Sequence, residues 1–250
     1  MARENGREPD YFSQVCIDEA VGFIIAGHET TSTSLCWGLK YLTDQPHAQT
    51  RLRRALKASF QEALTAKRTP SLQEMIAADI PYLDATIEEI IRCSAATVAI
   101  DREALVDTTI LGHAIPKGTV VTYLIKGPSM TNPSLPTHTT PTSKDLEARL
   151  CAWDATDIGT FNPARWLGSV DGEEEQFVPT AGPQLTFGLG TRGCSVRKLA
   201  CLEMRIFLVL LLWRFELLSC PEGLSGYGEL LSSTRKPRQC YLRLREICRE

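Results

Sequence analysis

The chain has 250 residues, 27 of them basic and 30 acidic, which gives a formal net charge of −3; 43% are hydrophobic and 23% charged. This balance excludes a polycation built to neutralise phosphates, and with it a nucleic-acid partner held by bulk charge. The composition excludes a disordered or fibrous chain, and the length suffices for one large domain or two small ones with a real core.

The amino-terminal residues are charged from Arg3 and Glu4 onward, so they do not read as a signal peptide. A helical pattern then runs from about residue 10 to 43 and stops at Asp44-Gln45-Pro46. At ~1.5 Å per residue it would span about 50 Å. Inside it lies an unbroken polar run, His28-Glu29-Thr30-Thr31-Ser32-Thr33-Ser34, preceded by Ala26-Gly27. Its hydroxyls compete for backbone carbonyls and can bend or open a helix, while a glycine permits close approach by something flat. The flanking Phe23, Ile24, Ile25, Leu35 and Trp37 predict a helix that is otherwise buried.

Pro46 suits the first turn of a second helix, in which Leu52, Leu56, Phe60 and Leu64 recur every four residues. Ser71 followed by Glu74 predicts a capping box. Pro81 opens another helix with the apolar stripe Leu83, Ile87, Ile90, Ile91. Glu88 and Glu89 lie one turn before Arg92, away from that stripe. Read alone, this is most simply an exposed ion pair worth ~0.3–0.5 kcal/mol. The alternative is a buried Glu89–Arg92 pair that organises a loop, since a guanidinium can hold a carboxylate and carbonyls together.

Beyond Ala96 the period changes. Thr97–Ile100 and Thr119–Tyr123 predict short strands, with turn signals from Ile110 to Gly118 between them. Gly127 to about Lys144 reads as a loop, Phe161 to Phe187 as irregular, and Asp171-Gly172-Glu173-Glu174-Glu175 as a solvated turn. A helix is expected from Cys194 to about Leu218 and a final strand from Gln239 to Leu244. Its longest apolar run, Ile206–Trp213, is closed by Arg205 and Arg214 and is too short to cross a bilayer, which takes ~20 residues. The nine cysteines are scattered without a Cys-x-x-Cys and are expected to be mostly reduced, buried small hydrophobes. The expected class is mainly α with small β-sheets.

Phe187-Gly188-Leu189-Gly190-Thr191-Arg192-Gly193-Cys194 precedes that last helix. Its glycines let the backbone lie close to a ligand. A cysteine at a helix start is favoured as thiolate and is a candidate soft metal ligand. Arg192 adds a fixed positive charge for an anionic group. The same letters, Gly188-x-Gly190-x-x-Gly193 with Glu216 about 20 residues on, match a dinucleotide-binding fingerprint. That reading requires a buried strand just before it, and Pro179 and Pro183 argue against one.

In chain order, these segments resemble the cytochrome P-450 family of haem-thiolate monooxygenases over about Asp10 to Leu244. Ala26-Gly27-His28-Glu29-Thr30-Thr31 resembles the oxygen-activating motif of its long central helix. Glu89-Ile90-Ile91-Arg92 resembles its Glu-x-x-Arg. Phe161-Asn162-Pro163-Ala164-Arg165-Trp166 resembles the loop whose arginine joins that pair. Phe187-x-x-Gly190-x-Arg192-x-Cys194 resembles its haem-binding signature, and Arg102 matches an arginine that faces a propionate.

The resemblance implies a P-450 fold truncated on its amino-terminal side, with residues 1–250 forming the carboxy-terminal part of one catalytic domain. It implies haem b on a Cys194 thiolate, with Phe187, Gly190, Arg192, Arg102, Ala26 and Gly27 around it. It also implies proton delivery by Thr30 and Glu29, and a structural set of Glu89, Arg92 and Arg165. Ala96 to Ile100 and the groove from Phe23 to Ala26 would line a substrate pocket. The implied partners are dioxygen, a small apolar organic substrate and an NADPH-cytochrome reductase or equivalent donor, with Arg197 and Lys198 as docking candidates. A full-length relative would sit at the endoplasmic reticulum membrane on its cytosolic face, and this chain, with no anchor, in the cytoplasm. Two positions depart from the family pattern: Val196 stands where glycine is usual, and Ala164 where glutamate is usual. An inactive fragment without a stable haem site and a dinucleotide-binding site at Gly188–Gly193 are the alternatives.

Overall fold

A computed structural model of the chain describes residues 10–126, 157–168, 175–182 and 184–247. Helix α1, Gln14–Asp44, runs 31 residues without interruption, close to the predicted span. The polar run does not break it. Thr30 Oγ1 donates to the Ala26 carbonyl at 2.8 Å and Ser32 Oγ to that of Glu29 at 3.1 Å, so these hydroxyls bond back along the helix instead of opening it.

Burial along α1 inverts the expectation. Phe23, Ile24 and Ile25 are more than half exposed, whereas Thr31, Thr33 and Ser34 are buried. Only the second half of the helix packs on other elements, and there the hydroxyls find partners: Thr33 lies 3.4 Å from the Thr234 hydroxyl, and Ser94 donates to Ser34 at 3.3 Å. Among the described residues no buried side-chain nitrogen or oxygen lacks a hydrogen bond.

The core lies between the second half of α1, α2 (Pro46–Ser59), α5 (Pro81–Ser94) and α6 (Arg197–Arg214). Leu42, Leu52, Leu56, Ile90, Leu208 and Leu212 are fully buried there, each worth ~1.5–3 kcal/mol over an exposed position. α1 and α5 approach closely because residue 38 is glycine. A Cβ there would lie 2.7 Å from Ile90 Cδ1 and 2.9 Å from Cγ2. The four-residue period after Pro46 outlasts the core by one turn. α2 stops at Phe60, the short α3 (Gln61–Thr65) restarts, and Leu64 is exposed. Before α4 (Leu72–Ala77), the Ser71–Glu74 capping box forms as predicted.

The stripe of α5 is buried, and so are Glu88, Glu89 and Arg92 on its other side. The exposed ion-pair reading is therefore wrong. α5 is packed all round, which a single-faced stripe does not reveal.

The sheets among the described residues are five antiparallel two-stranded pairs. β1 (Ala99–Glu103) pairs with β4 (Val120–Leu124), near the predicted strands. The turn signals between them belong to a further hairpin, β2 (Thr108–Ile110) and β3 (His113–Ile115), reversing at Leu111 and Gly112. A 3-10 turn at Pro163–Trp166 leads into β5 (Leu167–Gly168), paired with β6 (Gln176–Phe177).

The last helix is shorter than predicted. It begins at Arg197, three residues after Cys194, and ends at Arg214, because Phe215–Leu218 is β7. Its partner β10 covers Arg243–Glu246, later than the expected Gln239–Leu244. β8 (Glu229–Leu231) and β9 (Arg235–Pro237) form a hairpin that packs on α1. The predicted loop at 127–144 lies outside the described residues, as do Asp171–Glu174, while Glu175 is exposed and paired with Arg51. None of the seven described cysteines is fully buried: Cys16 and Cys194 are exposed and the others intermediate. Among the described residues no helix is long and apolar enough to cross a membrane.

Candidate functional site: an apolar cleft with a thiol and two free guanidiniums

The loop before α6 folds back on itself. The Gly188 N–H donates to the Leu185 carbonyl at 2.8 Å, Gly193 to Gly190 at 3.0 Å and Cys194 to Phe187 at 2.7 Å. Gly188 and Gly190 have φ of +66° and +67°, the left-handed region that L side chains rarely enter. These turns present the exposed Cys194 side chain to a cleft of about 1050 Å³, counting its open side.

Five segments meet at this cleft, with α5 contributing Ile91. α1 contributes Ala26, Gly27, Thr30, Thr31 and Ser34, and the stretch entering β1 contributes Ala96, Thr97, Ile100 and Arg102. The glycine loop contributes Phe187, Arg192 and Cys194, and α6 contributes Leu199, Ala200 and Met204, with Val196 as its N-cap. Gly27 keeps one wall open, since a Cβ there would meet nothing within 4 Å. Of the residues predicted for a cofactor, Cys194, Arg192, Phe187, Arg102, Ala26 and Gly27 all line the cleft. Gly190 acts through the backbone turn instead.

Charge is the informative feature of this wall. Arg102 Nη1 donates to the Asp101 carbonyl at 2.8 Å, and among the described residues neither Arg102 nor Arg192 forms an ion pair. The one carboxylate in the lining, Glu203, pairs with neither. Two uncompensated guanidiniums beside apolar surface form a receptor for carboxylates or phosphates.

The sequence-predicted structural set also assembles, and it is closed. Glu89 Oε1 accepts from Arg92 Nη2 at 2.7 Å, the Asn162 N–H at 2.8 Å and Arg165 Nε at 3.0 Å. Its Oε2 accepts from Arg92 Nε at 2.7 Å and Trp166 Nε1 at 2.9 Å. The remaining donors of the two arginines reach the Ile158, Thr160 and Asp157 carbonyls and the Asp157 carboxylate. Ala164 plays no part in this, so its departure from the family pattern leaves the network whole. Trp166 and Asp157 were not predicted as members. Trp166 sits next to Arg165 in the motif and could have been found from it, while Asp157 carries no local signal.

Two predicted roles change. Glu29 does not line the cleft. It bonds Lys236 at 2.5 Å and the Ser233 and Thr234 hydroxyls at 3.0 and 3.2 Å, and the Lys236 contact holds its carboxyl below the usual range. Arg197 is not a free docking charge. It bonds Glu88 at 3.2 Å and lies 5.3 Å from the Phe187 ring centre. Burial pushes the Glu88 carboxyl up, against the pull of Arg197. Lys198 remains exposed. Ala96, Thr97 and Ile100 line the cleft as expected of a substrate wall, but in the Phe23–Ala26 groove only Ala26 does. The α1 and α6 lining residues share a signal, which could have added Thr31, Ser34, Leu199, Ala200 and Glu203 to those predicted. Gly27, Thr30, Thr31 and Ser34, like Val196, Leu199, Ala200 and Glu203, follow the i, i+3, i+4, i+7 spacing of one helical face. The dinucleotide reading lacks its context: among the described residues no strand leads directly into Gly188, and the described sheets are antiparallel.

A sequence profile of the cytochrome P450 family matches residues 4–131 and 159–226. The chain is 43% identical to the cytochrome P450 monooxygenase TRI13 of Fusarium sporotrichioides, over 99% of this chain and 45% of that protein. It is 40% identical to the cytochrome P450 monooxygenase cyp3.1 of Dothistroma septosporum, over 97% of this chain and 82% of that protein. Among solved structures, the crystal structure of a cytochrome P450 (CYP102L1) superposes with a TM-score of 0.70 at 24% identity, over 98% of this chain and 48% of that one. The chain thus spans about half the length of several proteins it matches, and it belongs to the cytochrome P450 family.

Proposed function

We propose that this chain is the carboxy-terminal part of a cytochrome P450 catalytic domain whose cleft would hold haem b, with Cys194 as its thiolate ligand. The observation that carries this reading is the cleft itself: a thiol and two guanidiniums without an ion pair among the described residues, on mostly apolar walls. Such a donor set fits a flat apolar group with a central metal and two acidic arms. Arg102 and Arg192 would hold those arms, and Phe187, braced by Arg197, would pack on the flat face. When bound, haem supplies dioxygen activation, which a thiolate ligand favours by pushing electron density towards the O–O bond.

The surrounding residues keep their own tasks. Ile100, Leu199, Ala200 and Met204 exclude water from the cleft. Thr30 is one of the hydroxyls on its wall and donates to the Ala26 carbonyl; release of that bond would let it donate into the cleft. Glu29, tied to Lys236, Ser233 and Thr234, fixes the β8–β9 hairpin against α1. The overall reaction is insertion of one oxygen atom of dioxygen into a small apolar organic substrate, with electrons from a reductase such as NADPH-cytochrome reductase. Lys198 is the exposed charge offered for docking. For the full-length protein, the cytosolic face of the endoplasmic reticulum membrane rests on the family resemblance alone.

One observation favours a second reading, an inactive fragment. Val196 lines the cleft beside Cys194. Its φ of −104° and ψ of 16° need no glycine, so any cost of the isopropyl group falls on the cleft. Reconstitution with haemin followed by a ferrous–CO difference spectrum separates the two. A thiolate-type band in the wild type that Cys194→Ala abolishes supports the first; no band in the wild type supports the second.

A further inference from the structure

Cys36 and Cys240 lie 204 positions apart in the chain, yet the Cys240 thiol reaches the Cys36 carbonyl at 3.4 Å. The proximity of the two thiols draws the Cys36 thiol down to about 7 and pushes that of Cys240 up. Both are part-exposed, and neither lines the cleft. Lys40, one turn beyond Cys36, donates to the Ser225 carbonyl at 3.1 Å and adds positive charge beside the pair. Among the described residues no other two cysteines share a hydrogen bond.

The position gives this pair a consequence. Cys240 lies between β9 and β10. On one side the hairpin grips α1 firmly, with the Trp37 Nε1–H donating to the Arg235 carbonyl at 2.9 Å and Lys236 paired with Glu29. On the other side β10 pairs with β7. Between α1 and Cys240 the described hydrogen bond is the contact of the Cys240 thiol with the Cys36 carbonyl.

We propose that Cys36 and Cys240 form a reversible dithiol–disulfide pair that straps the carboxy-terminal segment to α1. The Cys36 thiolate attacks one sulfur of a low-molecular-weight disulfide such as oxidised glutathione. The S–S bond of that molecule breaks and one thiolate leaves. Cys240 then loses its proton to solvent, and its sulfur attacks the Cys36 sulfur and expels the second thiolate. Two protein thiols are oxidised to one disulfide, and the small disulfide is reduced to two thiols.

The test is to equilibrate the chain with mixtures of reduced and oxidised glutathione at pH 7, block free thiols with N-ethylmaleimide, and digest with trypsin. Mass spectrometry should find the peptide Gln239–Arg243 joined through Cys240 to Cys36. Dithiothreitol should release it; Cys36→Ser and Cys240→Ser should each abolish it; Cys194→Ser should retain it. A glutathione adduct on Cys36 with no cross-link would overturn the proposal, as would a cross-link from Cys240 to another cysteine, or full alkylation of both after oxidation. Should a serine variant fold poorly, iodoacetamide labelling of Cys36 at pH 7 gives an independent reading. It should slow roughly tenfold in Cys240→Ala because the thiolate fraction falls, and an unchanged rate would overturn the assignment.

Discussion

The chain uses two pairs of arginines in opposite ways. Arg92 and Arg165 share the Glu89 carboxylate and are sealed in the fold, with side chains at most 4% exposed. Arg102 and Arg192 face a cleft and share no carboxylate among the described residues. The first set has its anion built in, so its donors are satisfied and its energy goes into structure. The second has none, so its charge is available to a ligand. Residue type does not separate these roles; whether the fold supplies the counter-charge does.

The largest expected effect comes from breaking the closed set. Glu89→Gln leaves two buried guanidiniums facing a neutral amide and should destabilise the chain by ~3–5 kcal/mol. Denaturant unfolding should show this as a large fall in midpoint, or as loss of soluble protein. The open pair should behave conversely. Arg102→Leu or Arg192→Leu should shift the unfolding midpoint little, yet speed haem loss by ~10–100-fold, the loss of charge-assisted hydrogen bonds of ~1.5–3 kcal/mol. Transfer of haem to apomyoglobin would measure it. If either open-pair variant unfolds like Glu89→Gln, the contrast between the pairs fails.

Val196→Gly should raise haem occupancy per chain, read as Soret absorbance after reconstitution; equal absorbance in both forms would mean that the isopropyl group does not crowd the cleft. The smallest effect concerns Glu229, whose carboxyl the Arg235 guanidinium pulls down to about 2. Its folded value lies below the ordinary ~4.3, so its stabilisation is present above that pH and is lost as pH falls towards 2. Glu229→Gln should flatten the acid limb of a plot of Tm against pH. Because this pair is only partly screened from water, the change should be modest.

Local pattern was enough for several elements. Pro46 and Pro81 start helices, Ser71 and Glu74 close a capping box, and Asp44-Gln45-Pro46 ends α1, because caps and prolines act within one turn. The cleft residues Cys194, Arg192, Arg102, Gly27 and Thr30 were likewise legible, since each stands in a motif with its own chemical reason. Burial along α1 was not legible. Phe23–Ile25 looked like core and are exposed, and Thr31, Thr33 and Ser34 looked like surface and are buried. Nor could periodicity show that residues after Arg214 leave the helix to pair with β10, because that partner lies some thirty residues away.

What the sequence by itself determined is therefore most of the helices, the ends that caps and prolines mark, and the motifs that name the family. Those signals are short-range, carried by backbone propensity and by the chemistry of single side chains. The tertiary structure alone decided which charges are spent and which are free: Glu89 closed by two arginines, Glu29 and Arg197 engaged away from the cleft, Arg102 and Arg192 left open. A charge is neutralised by what stands beside it in space: Glu89 has Arg92 one turn along its helix, and Arg165, 76 positions away in the chain, completes the set.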